Sequence, residues 1–220
     1  MTLSTLVSGW SFGYDLIFES VFAIISLILA IFAFQIYKLA GEDKSRLFGV
    51  SFLLISISYF VQIAFNLVYA SNLGTSICTL ANLPSNNAIL YYGNYLHFLF
   101  MIIGLAVLLY MTFDINHSEI LWFLVILSTV SLLVSSNEFY AFYLLSTIYL
   151  AFITWYFIRN YFRKKQKLSL MTAVAFSFLL FGSFHFFLSV NHQLYFIIGY
   201  FLELIAYILI LLNLILVQKK

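Results

Sequence analysis

The sequence predicts an all-α polytopic membrane protein, a seven-transmembrane helix bundle in which residues 1–220 form one domain. Hydrophobic residues make up 64% of the 220-residue chain and charged residues only 8%, whereas a soluble domain contains about 25% charged residues. These few polar side chains cannot cover the surface of a soluble fold of this length. We therefore expect the chain to be embedded in the lipid bilayer. The other two observations are seven apolar segments and a one-sided distribution of Lys and Arg.

Seven segments are apolar enough to be considered as membrane spans. About 20 helical residues are needed to cross about 30 Å of hydrocarbon. The predicted spans are 14–39, 46–70, 89–113, 119–136, 138–160, 168–189 and 193–217. The fourth is short and would also fit an interfacial helix by hydropathy alone, but the distribution of charge favours a span.

With seven spans, all ten Lys and Arg residues fall on the same side of the membrane. They lie between spans one and two, around the connection between spans five and six, and at the C-terminus: Lys38, Lys44, Arg46, Arg159, Arg163, Lys164, Lys165, Lys167, Lys219 and Lys220. Removing the fourth span would put the two main basic loops on opposite sides. The positive-inside rule then predicts a plasma-membrane protein with its N-terminus outside and its C-terminus in the cytoplasm.

Short sequence similarities predict an internal repeat. Ser51-Phe52-Leu53-Leu54 of span two recurs as Ser177-Phe178-Leu179-Leu180 of span six, and Gly93 to His97 of span three aligns with Gly199 to Glu203 of span seven. This favours a 3+1+3 arrangement with parallel repeats related by an axis along the membrane normal. The plan resembles that of the SWEET sugar transporters in architecture alone. Those transporters place a proline in a core helix of each repeat, whereas the one proline here, Pro84, lies in a predicted outer loop, so no site residue is carried over.

Ionisable side chains inside a bilayer are costly and mark functional sites by default. In the predicted orientation they collect in the outer half of the bundle, where Gln62 and Asn66 lie on one helical stripe. The predicted ligand or ion pocket consists of Glu19, Gln62, Asn66, Asn94, His97, His185 and Glu203. His97 and Glu203 are its central pair because they occupy equivalent positions in the repeat. A buried structural ion pair, or hydrogen bonds to neighbouring Tyr and Asn side chains, would explain the same two residues without a ligand.

An outward-facing polar pocket favours the binding or transport of a small polar solute or ion. One alternative is a sensor or accessory subunit acting through a membrane or cytoplasmic protein partner. The basic residues of such a contact would be Arg159, Arg163, Lys164, Lys165 and Lys167. A further alternative is a metal-dependent membrane hydrolase with His97, His185 and Glu203 as ligands. An enzyme is not favoured, no cofactor is identified by any motif, and no nucleic-acid partner is predicted.

Overall fold

The computed structural model describes residues 11–71, 86–113, 117–189 and 193–218, and every regular element in these ranges is an α-helix. The predicted loop residue Pro84 and the basic residues Lys219 and Lys220 lie outside the described residues. The described helices are α1 (Ser11–Ala40), α2 (Asp43–Ala70), α3 (Asn86–Phe113), α4 (Ser118–Val134), α5 (Glu138–Lys164), α6 (Lys167–Ser189) and α7 (Gln193–Gln218). Each helix overlaps one predicted span, so the all-helical prediction is confirmed.

Six of the described helices are long and apolar enough to cross a membrane, and α4 is shorter. With 17 residues, α4 extends about 26 Å at 1.5 Å per residue, against about 30 Å of hydrocarbon. Beyond its first turn, which contains the exposed Glu119, the residues that α4 leaves exposed are all apolar: Trp122, Phe123, Ile126, Leu127, Val130, Leu133 and Val134. The structure therefore supports a helical membrane bundle, but the length of α4 alone does not establish a seventh crossing.

Six of the helices form a closed ring of packed neighbours. The order around the ring is α1, α2, α3, α5, α6 and α7, with α7 again packed on α1. Among the described residues, α4 packs only on α3 and α5 and therefore lies against the outside of the ring. Aromatic side chains fill the centre, where Phe22, Phe52 and Tyr207 are almost completely buried.

The basic residues of the described chain lie at one end of the bundle. Contacts of Phe18 with Tyr200, and of Phe22 with Tyr207, show that α1 and α7 run in the same direction. The α6 helix is antiparallel to α7 and also to α5, because Thr172 pairs with Asn213 whereas Tyr143 packs on Phe186. The C-terminal ends of α1, α5 and α7 therefore share one end of the bundle, here called the basic end. It carries every Lys and Arg of the described residues: Lys38, Lys44, Arg46, Arg159, Arg163, Lys164, Lys165 and Lys167.

Candidate functional site

A layer of hydrogen-bonded polar side chains crosses the bundle in the half away from the basic end. Four bonds between helices define this polar layer, and each has one partner on α2. The α2 helix supplies Ser58, Gln62 and Asn66 at intervals of four residues, which places them on one stripe. The members of the polar layer are Glu19, Ser58, Tyr59, Gln62, Asn66, Asn94, His97 and Glu203.

The first carboxyl group of the polar layer belongs to Glu19 on α1. Its Oε2 accepts a hydrogen bond of 3.0 Å from Asn66 Nδ2 on α2. Glu19 is 7% exposed and Asn66 is 8% exposed, so the bond is closed off by neighbouring side chains. Amide donors stabilise a buried acceptor without supplying a neutralising charge.

The second carboxyl group belongs to Glu203 on α7. Its Oε1 accepts a hydrogen bond of 2.7 Å from the hydroxyl group of Tyr59 on α2. Both side chains are buried. The ring of Phe22 on α1 packs against Tyr59 and also against Tyr207 on α7. This bond joins the first three helices to the last three through the middle of the ring.

His97 on α3 is held by Ser58 on α2. Its Nδ1 lies 2.7 Å from Ser58 Oγ, and the same hydroxyl donates to the backbone carbonyl of His97 over 3.1 Å. A serine hydroxyl has one hydrogen, so Ser58 donates to the carbonyl when His97 Nδ1 carries a proton, and to Nδ1 when it carries none. The imidazole ring lies 5.5 Å from the ring of Tyr59.

His97 and Glu203 therefore lie beside the same tyrosine, and they form no ion pair with each other in the described structure. The sequence left open either a pair in the centre of the bundle or hydrogen bonds of each residue to neighbouring Tyr and Asn side chains. In the structure each residue has its own neutral partner, Ser58 for the imidazole and Tyr59 for the carboxyl group. Tyr59 is thus the residue that connects the two predicted site residues.

Gln62 and Asn94 add a further amide pair to the polar layer. Gln62 Nε2 on α2 donates a hydrogen bond of 2.6 Å to Asn94 Oδ1 on α3. The other side-chain atom of Gln62, the buried Oε1, has no hydrogen-bond partner among the described residues. An unpaired buried acceptor is costly, so this atom is suited to a ligand or water that donates a hydrogen.

His185 lies apart from the hydrogen-bonded layer. Its Nδ1 is 2.7 Å from the backbone carbonyl of Phe181 on its own helix, and its ring packs near Phe184 and Tyr195. Within the part of the chain that the structure describes, no three His, Cys, Asp or Glu side chains form a group that could hold a metal ion. His97, His185 and Glu203 are accordingly not assembled as a metal site in this geometry.

Two surface grooves lie on the second half of the bundle rather than on the polar layer. One is lined by Ala151, Phe152 and Trp155 of α5. The other lies between α5 and α6 and is lined by Leu144, Thr147, Ile148, Phe184 and Phe187. Five members of the polar layer are buried and three, Gln62, Asn94 and His97, are partly exposed. Residues 72–85, which follow α2, lie outside the described residues.

Tyr59 was missed by sequence reasoning, although the neighbouring polar stripe of α2 was recognised. With 16 tyrosines and 26 phenylalanines in the chain, one aromatic residue beside a polar stripe carries no distinguishing signal. Tyrosine also fits the lipid interface as well as a buried polar site, so its role depends on the rotation of the helix.

Fold and site together define a helical membrane bundle whose interior contains two buried carboxyl groups in a polar layer. Comparison of the chain with protein-family models, with curated proteins and with solved structures gave no match.

Proposed function

We propose that this membrane protein binds, and moves across the bilayer, a small polar solute or ion that enters the polar layer. The observation that carries the proposal is that two buried carboxyl groups, Glu19 and Glu203, have neutral hydrogen-bond partners. Neither forms an ion pair with a basic side chain in the described ranges 11–71, 86–113, 117–189 and 193–218. A charge in the bilayer interior is costly, so each acid must hold a proton or be neutralised by a cation.

The remaining acceptors of the polar layer support a ligand that carries positive charge or donates hydrogen bonds. Gln62 Oε1 is buried and unpaired in the described structure. The two carboxyl groups lie on α1 and α7, which pack against each other in the ring. A small cation, or a neutral solute rich in donors, would satisfy acceptors of this kind.

The helix order also supports the proposed 3+1+3 repeat. If α1, α2 and α3 are exchanged with α5, α6 and α7, the neighbours α1 and α2 become α5 and α6. In the same way α2 and α3 become α6 and α7, and α3 and α5 become α7 and α1. All six neighbouring pairs of the ring are reproduced, with α4 as an external linker. Such a pseudo-twofold arrangement places a central site between two repeats, as in other transporters built from repeats.

We further propose that α4 crosses the membrane as the seventh span, with the N-terminus outside and the C-terminus in the cytoplasm of a plasma-membrane protein. The exposed face of α4 beyond its first turn is apolar, as expected for contact with lipid. The basic end would then face the cytoplasm according to the positive-inside rule. The polar layer would lie in the outer half, where an external solute enters.

Ligand-dependent thermal stability tests the proposed site directly. Purified protein in mild detergent is heated in a panel of alkali, ammonium and divalent cations and of small neutral polar solutes, each against a buffer of equal ionic strength. A ligand that binds only the folded state at about 100 times its Kd stabilises it by about 2.7 kcal/mol. We expect at least one compound to raise the Tm of the wild type but not that of Glu203→Gln.

Glu138→Gln is the matched control because Glu138 lies in the first turn of α5, outside the polar layer. It should keep the ligand response of the wild type. The stabilising compound is then used in uptake measurements with reconstituted vesicles. If no compound raises the Tm, or if Glu203→Gln responds and transports as the wild type does, the proposal is wrong.

A further inference from the structure

The exposed face of α5 combines aromatic and cationic side chains at helical spacing. Phe152 is 55% exposed and Trp155 is 68% exposed, and the exposed Arg159 and Arg163 follow Trp155 at intervals of four residues. Residues three or four apart lie on one helix face, so the four side chains form a continuous stripe. Its apolar part points toward the middle of α5, and its cationic part lies at the basic end.

A shallow groove runs beside the apolar part of this stripe. It has a volume of about 270 Å³ and is lined by Ala151, Phe152 and Trp155. Arg159 lies about 6 Å closer to the basic end than Trp155, at 1.5 Å rise per residue. This separation fits a molecule with an apolar tail in the groove and an anionic group near the membrane surface.

The charge of the adjoining turn is strongly one-sided. Residues 159–167 contain five basic and no acidic side chains, and the described structure shows no ion pair for any of the five. The other basic turn, between α1 and α2, contains Glu42 and Asp43. There Arg46 Nη2 lies 3.4 Å from Asp43 Oδ1. The turn between α5 and α6 is therefore the one whose positive charge is not compensated by acidic neighbours.

We propose that this surface is a binding site for an anionic phospholipid. One acyl chain lies in the groove along Ala151, Phe152 and Trp155, and Arg159 and Arg163 hold the phosphate. A guanidinium group matches phosphate with parallel hydrogen bonds, and arginine is weakly enough hydrated to act at a membrane interface. Basic residues next to a span attract anionic lipid; the groove adds a defined position for one lipid molecule. The proposal does not depend on the function of the polar layer.

Lipid titration followed by native mass spectrometry tests this site. The probes are phosphatidylglycerol and phosphatidylcholine with identical acyl chains, added to delipidated full-length protein in detergent. We expect the wild type to bind the first phosphatidylglycerol molecule more tightly than phosphatidylcholine. Arg159→Gln with Arg163→Gln should lower that preference about 30-fold, because two basic residues near the surface together contribute about 2 kcal/mol to anionic-lipid attraction.

Matched variants separate a defined site from a general effect of net charge. Lys38→Gln with Arg46→Gln removes two charges from the other basic turn and should keep the preference. Arg159→Lys with Arg163→Lys retains the charge and should keep most of the preference for phosphatidylglycerol. Trp155→Ala should weaken the binding of both lipids to a similar extent, since this substitution alters the groove alone.

Circular dichroism and thermal unfolding confirm that each variant is folded before titration. Equal affinity of the wild type for the two lipids would overturn the proposal. An equal loss of preference in Lys38→Gln with Arg46→Gln would overturn it as well, because net charge at the basic end would then be sufficient.

Discussion

The hydroxyl group of Tyr59 on α2 donates a 2.7 Å hydrogen bond to Glu203 Oε1 on α7, although α2 and α7 are not neighbours in the ring of helices. The long phenolic side chain makes this possible, because it reaches across the centre of the bundle. The bond therefore couples the two groups of three helices at the level of the polar layer. Stability and the candidate site depend on the same contact.

Tyr59→Phe should destabilise the protein by about 1–2 kcal/mol, because it leaves the Glu203 carboxyl group without its donor in a buried position. The measurement is reversible unfolding in mixed micelles. Tyr156→Phe is the matched control: Tyr156 packs on Phe157 of the same helix and has no hydrogen bond within the described residues. Tyr156→Phe should change the free energy of unfolding by no more than about 0.5 kcal/mol.

A double-mutant cycle identifies the origin of this loss. Tyr59→Phe and Glu203→Gln should be non-additive by about 0.5–2 kcal/mol, as expected for directly bonded groups. Additive effects of the two substitutions would mean that the bond contributes nothing to stability, and the proposed coupling of the two halves would then be wrong.

Asn66→Asp should make stability depend on pH more steeply than in the wild type. Asn66 Nδ2 lies 3.0 Å from Glu19 Oε2, so the substitution places a second carboxyl group beside the first. Two such groups cannot both ionise at this distance without strong repulsion. The folded variant therefore retains a proton that the unfolded chain releases, and its stability falls as pH rises.

Thermal unfolding from about pH 5 to about pH 9 tests whether stability falls as pH rises. In this range the solvated carboxyl groups of the unfolded chain are already ionised. The control is Asn160→Asp, a change on α5 next to Arg159 and near Arg163, where a carboxylate has cationic neighbours. A pH profile for Asn66→Asp that is parallel to that of the wild type would contradict the buried position of the Glu19–Asn66 pair.

The helices were largely predictable from sequence, whereas the contacts within the site were not. Runs of apolar residues separated by polar turns fix where helices begin and end, and the stripe of Gln62 and Asn66 could be read from its spacing. The side chains facing lipid and those facing the core are both apolar, so helix rotation leaves little trace in the sequence. For this reason the sequence identified neither Tyr59 as the partner of Glu203 nor Ser58 as the partner of His97, and it left a direct contact between His97 and Glu203 as an open alternative. The internal repeat stays a prediction.

Two glycines of equivalent predicted position should differ in their tolerance of alanine. A Cβ atom on Gly93 would lie 2.5 Å from Phe65 Cβ, an atom that moves only with the backbone of α2. On Gly199 it would lie 2.8 Å from Cε1 of Phe186, a ring atom that a change of side-chain torsion can displace without moving the backbone of α6. We expect Gly93→Ala to cost about 1–3 kcal/mol through overpacking and Gly199→Ala to cost less.

Equilibrium unfolding of the two variants side by side gives this comparison. A larger loss for Gly199→Ala than for Gly93→Ala would show that the ring of Phe186 is held more rigidly than the α2–α3 contact. The prediction that alanine costs more stability at the α2–α3 contact than at the α6–α7 contact would then be wrong.

The two ends of α4 should be accessible from opposite sides of the membrane. Ser118 begins α4, and Ser136 lies two residues beyond its last residue, Val134; Ser118 and Ser136 are both exposed. In a Cys78→Ser background, which removes the one native cysteine, single cysteines are placed at these two positions. An impermeant maleimide added to intact cells should label Ser136→Cys. Ser118→Cys should react only after permeabilisation, as should the control Gln166→Cys in the turn between α5 and α6.

If Ser118→Cys and Ser136→Cys are labelled from the same side, α4 lies along the interface. In that case the two basic turns would lie on opposite sides of the membrane, contrary to their shared end of the bundle, and the proposal of α4 as the seventh span would be wrong.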